Sequence, residues 1–326
     1  MLRLRRSRLA LVLALALAGG CHPRAADRTQ PTTASTAVDF ATLAAEVLDR
    51  HLEAHPERAV ELGLHAYDGR LRDVSAAGLA REGERLARDI AALDGLDPAT
   101  LEPMQRVERA TLLAALRDEL FRIEVSRAPW TNPMSYLGAL DLTPYVSRAY
   151  APASTRAQAV VALAEAVPGY LQHARANLQP QLARTFIDTA LLQVRGTASF
   201  ARTDVPAALK DLPADERTRL VAALETMAKA LDAFAEHLEQ ARARATDDFA
   251  LGAADFTRML AETQGIDIEL AQLRRVLEAD LERNLAAMRA AAAQIDPKAS
   301  VAEVVARVAD ERPAASAVLK TAAEQA

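Results

Sequence analysis

Residues 220–238 read Leu-Val-Ala-Ala-Leu-Glu-Thr-Met-Ala-Lys-Ala-Leu-Asp-Ala-Phe-Ala-Glu-His-Leu, with large apolar side chains at Leu220, Leu224, Met227, Leu231, Phe234 and Leu238. Their steps of four, three, four, three and four follow the 3.6-residue turn of an α-helix, so all six share one stripe. Such a stripe is the seam of a helix bundle. A second stripe runs through Leu270, Leu273, Leu277, Leu281, Leu285 and Met288, with Gly265 marking a turn and Asp267 a candidate N-cap before it. Thr155-x-x-Gln158 and Ser300-x-x-Glu303 fit capping boxes, in which hydroxyl and side chain satisfy otherwise orphaned N–H groups. No alternating run of β-branched residues is long enough to compete as a sheet. The expected fold is all-α: an elongated multi-helix bundle with long antiparallel helices over residues 38–326.

The apolar fraction is 51%, but only 4% of residues are aromatic and much of the rest is alanine. A core of that composition requires helices packed closely around few large anchors. The formal net charge is −5 and no basic stripe is present, so nucleic acid is excluded as the expected partner. Cys21 is the only cysteine, which rules out an intramolecular disulfide and a cysteine-based zinc site.

The position of Cys21 is informative. Arg3, Arg5, Arg6 and Arg8 form a cationic region, Leu9 to Ala18 an apolar one, and Ala18, Gly19 and Gly20 supply small residues before the cysteine. This reads as a bacterial lipoprotein signal peptide over residues 1–20, with Cys21 as the lipidated residue and the membrane as its partner. Ala18 stands where leucine is usual, and an incidental cysteine is the competing reading. The apolar run is well short of the roughly 20 residues that span a bilayer. His22, rather than an aspartate, follows the cysteine, which favours the outer membrane, facing the periplasm. Residues 21–37 hold Pro23, Pro31, Thr32, Thr33, Ser35 and Thr36 without apolar period and read as a flexible tether.

Residues 129–152 break the helical rhythm with four prolines, Trp130, Asn132, Tyr136, Asp141, Tyr145 and Tyr150. Trp130, Asn132, Tyr136 and Tyr145 are candidates for a surface that binds a peptide or protein ligand. The alternative is a long loop pinned across the bundle by its aromatics.

The search for chemistry yields little. No glycine-rich phosphate loop and no Gly-x-Ser-x-Gly turn is present. His51-Leu-Glu-Ala-His55 places two histidines one helical turn apart, but Glu53 is out of register with the His-Glu-x-x-His pattern of zinc peptidases. The pair either awaits a distant third ligand or sits in the last turn of a helix stopped by Pro56, where positive charge suits the macrodipole. The charge run Arg81 to Arg88 reads as the solvated face of an amphipathic helix. No catalytic residue and no metal ligand is assigned.

One stretch is more specific. His55-Pro56-Glu57-Arg58-Ala59, Leu62-Gly63-Leu64-His65, Tyr67-Asp68-Gly69-Arg70-Leu71 and Asp73-Val74-Ser75, followed by Pro168-Gly169-Tyr170-Leu171 and Phe249-Ala250-Leu251-Gly252, resemble in order the N-terminal half of the domain-of-unknown-function 885 family. The resemblance implies exported or lipid-anchored proteins similar to zinc metallopeptidases. Their metal motif, His-Glu-x-x-x-Gly-His-His, stands in a second half that has no counterpart here. It therefore implies a helical scaffold without catalytic activity of its own, with zinc supplied only by a C-terminal half. Three accounts follow from it: a truncated chain, one part of a split peptidase with a separately encoded C-terminal half, or a non-enzymatic binding lipoprotein.

Overall fold

Every member of the first stripe is buried: Leu220, Leu224, Met227, Leu231, Phe234 and Leu238 form the spine of one long helix at the centre of the protein. A computed structural model describes residues 39–325, so the expected signal peptide, Cys21 and the tether lie outside the described residues. In chain order the helices are α1 (Phe40–Ala54), α2 (Pro56–Glu61), α3 (Ala76–Asp94), α4 (Pro103–Glu124), α5 (Ala128–Thr131), α6 (Thr143–Ser147), α7 (Ala153–Asn177), α8 (Arg184–Arg202), α9 (Asp204–Ala208), α10 (Ala214–Arg242), α11 (Ala253–Gln264), α12 (Leu270–Ile295), α13 (Val301–Asp310) and α14 (Val318–Gln325). Short 3-10 turns join several of them. No strand forms among the described residues, apart from a single bridge between Ala183 and Thr246. The fold is all-α, as its periodicity predicts.

Two cores result. In the larger, α10 packs on α7 and α8, meeting Val160, Ala164 and Val167 of α7 and Ile187, Ala190 and Val194 of α8. The alanines explain how a chain poor in aromatics reaches interior density: small side chains let the helix backbones approach. The smaller core joins α1, α3 and α4 through Phe40, Val47, Leu86, Leu93, Leu113 and Leu116. Ser75 caps α3 by accepting from Gly78 N at 3.0 Å.

Four local expectations are corrected. Thr155 does not cap α7, because the helix starts at Ala153 after Pro152, whose fixed φ suits the entry. Asp267 does not cap α12, which begins after Glu269. Ser300 and Glu303, by contrast, do form a reciprocal capping box on α13. The second stripe forms α12 but not a buried seam: Leu277, Leu281, Leu285 and Met288 are exposed. Finally, the aromatic, proline-rich segment interrupts the long helices as expected but is not without local structure. It folds as a chain of short turns, α5, Pro133–Tyr136, Gly138–Leu140 and α6, in which Pro129, Pro133 and Pro144 each start a turn and need no donor there.

Candidate functional site

The break between α1 and α2 builds the most polar part of the interior. Pro56 disfavours helical geometry at the residue before it, and His55 takes φ −125° and ψ 67° while its N–H closes the last turn on His51 O at 2.9 Å. The chain restarts with Pro56 at the first position of α2. His55 thereby turns inward and is 3% exposed.

His55 Nε2 lies 2.9 Å from Glu82 Oε1 on α3. Glu82 in turn receives Arg85 Nη2 at 2.6 Å, Arg85 Nη1 donates to Asp89 at 2.8 Å, and Arg50 Nε donates to Asp89 at 3.0 Å. The expected solvated face holds at Arg81, Glu84 and Arg88 but is corrected at Arg85, which is buried beside Asp89. The sequence does carry the signal. Leu79, Glu82, Leu86, Asp89 and Leu93 step by three, four, three and four, which puts two carboxylates on the apolar stripe itself. Charges on such a stripe are buried in pairs or not at all.

Burial opposes the charge of Glu82, but Arg85 and His55 outweigh it and hold its pKa at about 2. Burial likewise opposes the charge of His55, yet Glu57 and Glu82 raise its pKa above the ordinary value. His51 is the opposite case: burial first, and neighbouring His55 second, push it down to about 4. The macrodipole therefore does not decide these two histidines. Their rings lie 4.6 Å apart. No group of three His, Cys, Asp or Glu side chains placed to hold a metal ion occurs among the described residues.

Beside this cluster lies a cavity of about 790 Å³, walled by the end of α1, by α2, α3 and α4, and by residues 70–74 and 128–139. Eight arginines and six carboxylates line it. Glu57, Arg72 and His55 face it together: Glu57 Oε1 is 3.5 Å from His55 Nδ1 and 3.7 Å from Arg72 Nε.

The aromatic candidates divide. Tyr136 and Tyr145 are 1% and 2% exposed and act as pins. The Tyr136 hydroxyl donates to Pro129 O and accepts from Asn177 Nδ2 at 3.1 Å, and the Tyr145 hydroxyl accepts from Gly69 N at 3.0 Å. Burial raises both phenols to about 12. Asn132 caps the following turn by accepting from Met134 N at 3.0 Å, and Trp130 is half-buried under the Arg127 guanidinium, 4.8 Å from its ring. The four do not form one open surface.

A different surface is open. Along α12, Leu277 and Leu281 are 59% and 58% exposed, with Val276, Leu285 and Met288 beside them. On α13, Val304 is buried while Val305 and Val308 are 54% and 50% exposed.

Residues 56–326 match the family described as "Bacterial protein of unknown function (DUF885)". The chain belongs to this family. A solved structure from Shewanella oneidensis, described as that of a candidate lipoprotein of unknown function, is similar at a TM-score of 0.66 and 21% sequence identity, over 80% of this chain and 49% of that one. At that identity the likeness establishes a shared fold, and this chain spans about half the length of that neighbour's chain. No match is found among curated proteins.

Proposed function

We propose that this DUF885 protein is an envelope lipoprotein, anchored through Cys21 and facing the periplasm, whose helices serve as the scaffold of a larger helical assembly. In this reading the chain catalyses nothing alone, and a second helical unit docks on α12 and α13 and carries whatever zinc-dependent peptidase chemistry the assembly performs. The observation that carries the reading is the set of exposed apolar side chains Val276, Leu277, Leu281, Leu285 and Met288 along α12. Solitary proteins rarely expose contiguous apolar area on this scale. The Shewanella chain, about half of which lies beyond the matched part, supports a further unit as the occupant, and its description as a lipoprotein supports the anchor.

The test is coexpression of the full chain with the product of the adjoining downstream reading frame. Copurification that is lost in a Leu277→Asp, Leu281→Asp variant, with zinc and peptide hydrolysis confined to the complex, is the expected result. Self-association of the purified chain through the same face would replace the partner by a second copy. Stoichiometric zinc and chelator-sensitive peptide hydrolysis by the chain alone would overturn the reading.

A further inference from the structure

Large side chains on α12 repeat at an interval of 11 residues, and that interval restricts what can cover them. Leu270 and Leu281 are 11 apart, as are Leu277 and Met288, and Leu273 is followed at 11 and 22 residues by Asn284 and Ile295. Eleven residues make three turns at about 3.67 residues per turn, so the row stays almost straight along the helix and wraps slightly right-handed. A seven-residue seam does not fit. Continued by sevens, Leu270 and Leu277 lead to Asn284 and Ala291, and Leu273 leads to Asp280 and Ala287, none of them a large apolar knob. From Arg274 to Ala291 every residue is exposed except the half-buried Asp280, so about 27 Å of the row lies open.

Asn284 interrupts the row near its middle. Its Nδ2 donates to Asp280 Oδ2, one turn earlier on the same helix, at 2.9 Å, and its Oδ1 has no partner among the described residues. In the open face, water satisfies that oxygen. Under an apolar cover it would become a buried acceptor without a donor, which disfavours a purely apolar partner and fixes the register of a matched one.

We infer that the unit docking on α12 covers it with one long helix, laid along the row from Leu270 to Ile295 and presenting a side-chain hydrogen-bond donor to Asn284 Oδ1. This deepens the docking reading given above and rests on it. A helix crossing obliquely at about 50°, through the ridge of Leu273, Leu277, Leu281 and Leu285, would touch only the middle of α12.

The full chain is copurified with the product of the adjoining downstream reading frame, and their affinity is measured for variants of the exposed face, each with an unchanged melting temperature in the chain alone. Asn284→Leu should weaken the pair about tenfold even though it adds apolar area, and Ile295→Ala should weaken it about fivefold. Tighter or unchanged binding of Asn284→Leu would mean that no donor meets Oδ1, and an Ile295→Ala pair of unaltered affinity would mean an oblique crossing. Either result overturns the inference alone, provided that Leu277→Asp, Leu281→Asp still abolishes the complex and so upholds the docking reading. Two products that never associate overturn both.

Discussion

His55 Nε2 and Glu82 Oε1, 27 residues apart in sequence, meet at 2.9 Å and tie the α1–α2 break to the apolar stripe of α3. A buried cluster of charged side chains is arranged around that pair. Arg85, Asp89 and Arg50 extend it in one direction, and Glu57 and Arg72 in the other.

Removing one member of a buried ionic cluster leaves its partners charged and unpaired. Glu82→Gln should destabilise the protein by about 3 kcal/mol or more, measured by urea unfolding. A double-mutant cycle with His55→Asn should return a coupling of about 1 kcal/mol or more. Additive losses would mean that the two side chains do not interact.

The histidines give the pH dependence a definite sign. His51, held at about 4 in the folded protein against 6.5 ordinarily, contributes stability that is complete above pH 6.5 and drains as pH falls toward 4. His55, with its pKa raised, contributes most below pH 6.5 and loses that contribution as pH rises through its folded value. Glu82 adds stability above pH 4.5 that is lost as pH falls toward about 2. The melting temperature should therefore fall by a few degrees between pH 6.5 and 4, and His51→Asn should flatten that limb. An unchanged slope in the variant would show that His51 is freely protonated in the folded state.

Two glycines separate backbone strain from crowding. Gly63 and Gly69 have φ of +82° and +73°, but a Cβ at Gly63 meets nothing within 4 Å, whereas one at Gly69 comes 2.8 Å from Ala159 O on α7. Gly63→Ala should cost about 1 kcal/mol from the left-handed backbone alone. Gly69→Ala should cost appreciably more, because α7 must move as well. Equal losses in thermal unfolding would remove the crowding argument.

The two leucine stripes should respond differently to truncation. Leu231→Ala on α10 should cost about 2–5 kcal/mol as a cavity in the core. Leu281→Ala on α12 should stay within about 0.5 kcal/mol in the purified chain. A large loss at Leu281 would mean that α12 is already packed, leaving no open face for a partner.

These predictions also mark how far the sequence can be read. Helices and the α10 seam were legible because their signal is local: six side chains on one stripe report the backbone that carries them. Membership of the DUF885 family was legible for a similar reason, since the motifs from His55 to Ser75 follow one another in order. The cluster on α3 was harder. Glu82, Arg85 and Asp89 have the spacing of solvated ion pairs, and only the leucines interleaved with them hint at burial. Tyr136 and Tyr145 were ambiguous in the sequence, because an aromatic in a proline-rich loop has the same composition whether it binds a ligand or pins the loop.

By itself, then, the sequence determined the secondary structure, the alanine-rich character of the core and the family. Periodicity, proline position and motif order act over one or two helical turns or along the chain, without reference to what lies across the interior. The tertiary structure alone decided which of two equally regular stripes is buried. The stripe from Leu220 to Leu238 lies against α7 and α8, and the stripe from Leu277 to Met288 faces outward, because burial depends on neighbouring helices that no helix encodes within itself. It also decided the site. His55, Glu57, Arg72 and Glu82 come together only when the chain break at Pro56 is folded over α3, where the loss of solvent turns ordinary surface charges into a coupled interior cluster.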